Sequence, residues 1–264
     1  MRRIHGTESG FERRAASARR PHLALTSLLE SSHTVHLMPC IYIATPSRQT
    51  LEDNVNTFLA AMKTRVHAPQ NALFTQIALE FVDQELEIVF FAATRQIELT
   101  AFRTRLVNAL GGLIEKTAHG LIRSIIARLD NQELARLVSY VEDRRIYLDG
   151  VSHVSFPLPE HFTTRFQVMH EALMSGSVND TEAQLRVINE FIDIALEYLL
   201  VKPTALIDLG FLARKGVALG HSSIRSLAHS TVRKLLTDVS IAEKQRIATY
   251  FYSLMLQGPD YQGA

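Results

Sequence analysis

Slid against itself by 110 positions, this chain aligns residues 77–140 on residues 187–250 without a gap. The alignment holds 16 identities in 64 positions, where ordinary composition yields roughly 4. Glu80-Phe81-Val82-Asp83 falls on Glu190-Phe191-Ile192-Asp193, and Leu86-Glu87 on Leu196-Glu197. Thr94, Ile97 and Leu99 meet Thr204, Ile207 and Leu209. Ala118-His119 meets Ala228-His229, Arg123 meets Arg233, and Glu133, Arg136 and Tyr140 meet Glu243, Arg246 and Tyr250. Convergence of amphipathic helices explains shared apolar positions but not shared Glu, Asp, His, Arg and Tyr. A tandem duplication is the economical reading.

Punctuation agrees with it. Asp130 with Glu133, and Ser240 with Glu243, are capping boxes at equivalent places, and Asn179 with Glu182 reads as another helix start. Pro203 suits a first helical turn. Gly258-Pro259 reads as a helix stop. The periodicity is helical almost throughout, as in the stripe Ile224, Leu227, Thr231, Leu235. It predicts helices near 47–66, 70–91, 94–109, 112–129 and 131–143, then near 159–175, 180–200, 203–215, 220–237 and 241–256. Asp149-Gly150, flanked by β-branched and aromatic residues, predicts a short β-hairpin near 145–156, and Cys40–Ala44 offers a further short strand. The expected fold is all-α, a tandem duplication of a four- to five-helix unit packed as one helical body. Its expected parts are a disordered Arg-rich tail at 1–37, helical repeat 1 at 38–150 and helical repeat 2 at 151–264.

Composition narrows the classes. Twelve Gly and eight Pro are few for 264 residues, which favours helices over a turn-rich β fold. One cysteine, Cys40, leaves no internal disulfide and no cysteine-based metal cluster, and points to a reducing, cytoplasmic setting. No uncharged apolar run approaches the ~18–20 residues of a membrane span; Ile192–Leu200 is interrupted by Asp193 and Glu197. Residues 1–37 carry six Arg and three acids, without helical period or a secretory apolar core, so neither export nor folding is expected of them. They read as a tail, or as sequence upstream of a start at Met38. The rest of the chain, with 22 basic and 24 acidic residues, is no polyanion binder on bulk charge.

Three polar groups stand out. Glu80, Asp83 and Glu87, with Glu190, Asp193 and Glu197, place carboxylates on one helical face, where like charges call for a cation. His119 with Arg123, and His229 with Arg233, are spaced to supply it. Two outcomes fit this pattern: a salt-bridge network between packed helices, or carboxylate and imidazole ligands for a divalent metal. Glu115 and His119 depart from the Glu-x-x-His spacing of di-iron helices, and position 225 opposite Glu115 is Arg, so the structural network is preferred and no metal or other cofactor is expected. The third group, His221, Arg225, His229 and Arg233, forms a basic stripe in the second copy alone. It reads either as a solvated face or as a contact for phosphates, with Gly216–Gly220 as the turn of a helix-turn-helix. No nucleophile elbow, zinc-protease helix or phosphate loop occurs. The expectation is therefore a non-enzymatic regulatory or interaction (adaptor) protein that binds a protein partner or itself. The alternatives are a nucleic-acid-binding regulator using 220–236 and a metal-dependent enzyme using the acidic helices.

Overall fold

The computed structural model describes residues 40–177, 180–237 and 239–258; the Arg-rich segment 1–37 lies outside them. The chain is mostly helical with one four-stranded antiparallel sheet. Its elements are β1 (Cys40–Pro46), α1 (Gln49–Lys63), α2 (Asn71–Glu85) running into a π-helical segment (Leu86–Ala92), α3 (Ala101–Ile126), α4 (Asn131–Asp143) and β2 (Arg145–Leu148). There follow β3 (Val151–Pro157), α5 (Glu160–Met174), α6 (Thr181–Leu196) running into a second π-helical segment (Glu197–Val201), α7 (Lys202–Ala205), α8 (Phe211–Leu236), α9 (Ile241–Ser253) and β4 (Met255–Gly258). Apart from the one-turn α7, the order from β1 to β2 recurs from β3 to β4, and both long helices widen at the same place.

Local chemistry accounts for the boundaries. Both capping boxes form: Asp130 accepts from the Glu133 amide and Ser240 from that of Glu243, while each Glu reaches back to its cap. Asp149 and Gly150 have φ of +51° and +80°, the two left-handed residues of a tight turn that suits the twist of β2 and β3. Asn179 lies outside the described residues, and α6 is capped instead by Asp180, whose carboxylate accepts from the Ala183 amide at 3.0 Å.

Three expectations need correcting. The helices expected at 94–109 and 112–129 are one helix, α3, which starts only at Ala101; the helix expected at 203–215 is split between the one-turn α7 and the 26-residue α8, which also takes in 220–237. Gly111 does not break α3; it makes room for Phe91, whose Cζ would lie 2.4 Å from a Cβ at that position. The helix expected to run to 256 ends at Ser253, and Met255–Gly258 is a strand, so Gly258 is no helix stop. Tertiary pairing explains that strand: it lies beside β1, with Ile43 opposite Met255 and Cys40 opposite Gly258.

The sheet order is β2-β3-β1-β4. Each half thus lends its last strand to the first strand of the other, and β1 and β3 pair at the centre, Ile43 opposite Phe156. The helices follow the same exchange. One core is built on Leu51, Phe58, Ile125 and Leu134 and takes in Ile207 and Leu209; the other, on Phe162, Phe166 and Phe191, takes in Ile43, Ile88 and Val89. Tyr250 donates its hydroxyl to the Ile88 carbonyl at 2.7 Å, and Tyr140, 110 positions earlier, donates to the carbonyl of Tyr198, 110 positions after Ile88. Among the described residues no helix is long and apolar enough to cross a membrane.

Candidate functional site

Between α2, α3, α6, α8 and the two π-helical segments lies a cavity of about 290 Å³. Both halves wall it, Phe81, Ile114 and Ala118 on one side and Phe191, Ile224 and Ala228 on the other. Among the described residues only two wall positions are polar, Thr94 and Glu85. Thr94 uses its hydroxyl on the Phe91 carbonyl at 2.9 Å. Glu85, in the last turn of α2, is 8% exposed and accepts a 2.6 Å hydrogen bond on Oε1 from the buried hydroxyl of Thr45 on β1. No cationic side chain pairs with it among the described residues. Burial pushes its carboxyl up to about 7, against the weaker pull of the Thr45 hydroxyl and of Gln84.

That polar cluster belongs to one half. By strand register Thr45 on β1 corresponds to Phe156 on β3, and by sequence offset Glu85 corresponds to Ala195; both counterparts also line the cavity. Gln84, fully buried, accepts from the Arg48 amide at 2.7 Å just ahead of α1. Pro159 stands ahead of α5, has no amide proton to donate, and faces no such need; the residue matching Gln84 is Ile194. The second half therefore closes the same junction with apolar groups.

The residues singled out in the sequence lie mostly on the outside of these helices. Asp83 meets His119 Nε2 at 2.7 Å, and Asp193 meets His229 Nε2 at 3.0 Å, so the acid–imidazole pairing expected between helices forms twice. The Arg123 partnership does not form: Arg123 is exposed, one turn beyond His119 on α3, and makes no ion pair among the described residues. Glu80 is held by the amides of Asn54 and Gln76, at 3.1 and 3.0 Å, and Glu87 by Arg95 at 2.6 Å. Glu190 instead takes Arg165 and His161, and Glu197 is exposed at the edge of an open groove. The matched carboxylates do not share one cation; each has local partners or solvent.

Position 115 separates the halves. Glu115, Asp83 and His119 bring three ligand atoms within 4.8 Å of one another, the one grouping of the metal-ligating type among the described residues. At the matching position, Arg225 grips Asp193 with two hydrogen bonds of 2.6 and 2.7 Å. Burial raises the Asp193 carboxyl, but the guanidinium and His229 together hold it below the ordinary carboxylate range.

The basic stripe spends its charge locally. Arg225 is on Asp193, Arg233 is 3.3 Å from Glu182, and His229 is on Asp193. His221 lines the same open groove, which mixes apolar residues such as Leu206 and Val217 with Arg136, Asp208 and Arg214, and there Arg214 pairs with Asp208 at 3.0 Å. Gly216–Gly220 is helical rather than a turn, so 205–236 does not adopt a helix-turn-helix.

Glu85 and Thr45 escape the internal comparison, because Glu85 has no polar counterpart in the second half. A signal is present all the same. Ile77, Phe81 and Glu85 are spaced by four, so a carboxylate interrupts the apolar stripe of α2. No protein family, curated protein or solved structure matches this chain.

Proposed function

We propose that this chain is a non-enzymatic binding protein of the regulatory or interaction type, which takes a small apolar ligand into the cavity between its two halves. The observation that carries this reading is the cavity wall: about 290 Å³, apolar on every side, with Glu85 its only ionisable group among the described residues. An apolar cavity of ~150 Å³ already accepts benzene, and pre-formed apolar sites with one placed polar group are the usual form of small-molecule pockets. The wall also includes residues of both π-helical segments, such as Val89 and Leu199, and π-helical turns in α-helices often sit at functional sites. A ligand there contacts both halves at once, which suits a protein whose affinity for a partner, or for a second copy, answers to a small molecule. Adaptor-type partnering rests on this coupling and on the near-neutral body.

The test uses N-phenyl-1-naphthylamine, an aromatic probe uncharged at neutral pH whose fluorescence rises in apolar surroundings. It is expected to bind the full chain saturably, and Ala118→Phe with Ala228→Phe, which place rings in the cavity, are expected to abolish binding while circular dichroism stays unchanged. Undiminished binding by folded variants refutes the reading.

The halves themselves we read as a tandem duplication, bounded near 150 and packed about a pseudo-twofold axis. The recurring element order, the exchanged strands and the reciprocal Tyr140 and Tyr250 hydrogen bonds support it. Two linked copies of residues 151–258 are then expected to close the same sheet; failure of that chain to fold counts against it.

A further inference from the structure

Resting on the cavity reading, we infer that its ligand is a lipophilic amine, bound as the ammonium ion with its charge on Glu85 and its hydrocarbon body among the phenylalanines. Four observations converge on this. Glu85 lines the cavity and is buried, so a carboxylate there is shielded from water. The Thr45 hydroxyl that donates to its Oε1 carries no charge, and no cationic side chain neutralises the acid among the described residues. Five phenylalanines, Phe81, Phe90, Phe156, Phe191 and Phe251, line the same space, and aromatic rings attract a cation placed over their faces. Finally, the fold does not need the acid. At the equivalent junction Phe156 and Ala195 stand where Thr45 and Glu85 do, and the packing closes without a polar side chain at either position.

The energetics select the cation. An ionised carboxylate held without a counter-charge in apolar surroundings is costly, and a group so placed either keeps its proton or takes a positive partner. An ammonium ligand supplies that partner from solution and restores the hydrogen bonds that burial removed. A ligand carboxylate meets repulsion instead. A neutral hydrocarbon fills the volume but gains nothing from Glu85. Recognition therefore has two separable parts: the cavity, at roughly twice the volume of one that holds benzene, sets the size of the body, and Glu85 sets the charge.

The experiment compares 4-phenylbutylamine with 4-phenyl-1-butanol, a neutral molecule of the same shape, by calorimetric titration into the full chain at pH 8. The amine is expected to bind about ten-fold or more tighter than the alcohol. In Glu85→Gln, which keeps size and hydrogen bonding, that preference is expected to vanish while the alcohol binds as before. Equal binding of amine and alcohol to the native chain, or a preference that persists in Glu85→Gln, overturns the amine inference and leaves the cavity reading standing. If neither molecule binds and the naphthylamine probe also fails, the cavity reading falls and this inference with it.

Discussion

The two halves of this molecule repeat one order of elements but carry different polar chemistry, most clearly at one place outside and one inside. On the outside, Asp83 faces Glu115 and His119 where Asp193 faces Arg225 and His229. Inside, Thr45 and Glu85 stand where the other half has Phe156 and Ala195. Neither Glu115 nor the Thr45–Glu85 pair is dictated by the elements that carry it, since the matching elements close with Arg225, and with Phe156 and Ala195, at those places. The outer pair is settled by a complementary cation in one half and left as an acid-rich triad in the other. The inner pair places a lone carboxyl against an apolar cavity in one half only. The chemistry is local to the side chains, and the scaffold tolerates both solutions.

The largest expected effect comes from making the inner junctions alike. Glu85 has a raised folded-state carboxyl, about 7 against 4.5 for the free side chain. Between these values the folded chain holds a proton that the unfolded chain has released. Stability therefore falls as pH rises from about 4.5 to 7 and is level above, a loss on the order of 3 kcal/mol from this one group. Urea denaturation of the native chain from pH 5 to 8 is expected to show the decline. Glu85→Gln, or Thr45→Phe with Glu85→Ala to copy the second half, is expected to flatten it. Parallel pH profiles for native and variant chains rule out the account of Glu85.

Next comes the outer pair. Asp193→Asn removes the two-bond grip of Arg225 and is expected to destabilise by about 1 kcal/mol, discounted for solvent screening of a partly exposed pair. Asp83→Asn, which loses only its imidazole contact, is expected to cost less. Because the Asp193 carboxyl is held low, its contribution is present above the ordinary carboxylate range and disappears as pH falls through the depressed folded value. Matched thermal denaturation of the two variants at pH 7 checks the order; an equal or larger loss in Asp83→Asn contradicts it.

Smaller still, Glu115→Arg gives the first half the guanidinium of the second and is expected to raise stability by about 0.5 kcal/mol. No gain in melting temperature at low salt means that α2 and α3 do not present Asp83 as α6 and α8 present Asp193. Last, Tyr140→Phe and Tyr250→Phe each delete one hydroxyl bond to a π-helical carbonyl. The two losses are expected to match each other, at up to about 1 kcal/mol apiece; a large inequality between them, read by urea denaturation, separates the halves further than their backbones do.

Much of this architecture is legible in the amino-acid sequence. The two capping boxes, the Asp149-Gly150 turn and the strand at Cys40–Ala44 are readable because each depends on a few neighbouring residues. The His119 and His229 pairings with Asp83 and Asp193 are foreseeable too, since acid and imidazole on adjacent helices find each other when those helices pack. The same reasoning misplaces Arg123, because periodicity gives the face of a helix but not its rotation against a neighbour.

Helices and caps thus follow from the sequence unaided, because backbone hydrogen bonding and capping act over three or four residues. Folding was needed to make Met255–Gly258 a strand, since its hydrogen-bond partners lie on β1, more than 200 residues away. Packing likewise assigns Gly111 to the Phe91 ring rather than to a break, because close contact is felt only when two segments meet. Tertiary structure also turns Glu85 from one acid among several into the one carboxyl lining an apolar cavity among the described residues. Burial is a property of everything that surrounds a side chain, and that surrounding comes from both halves of the chain at once.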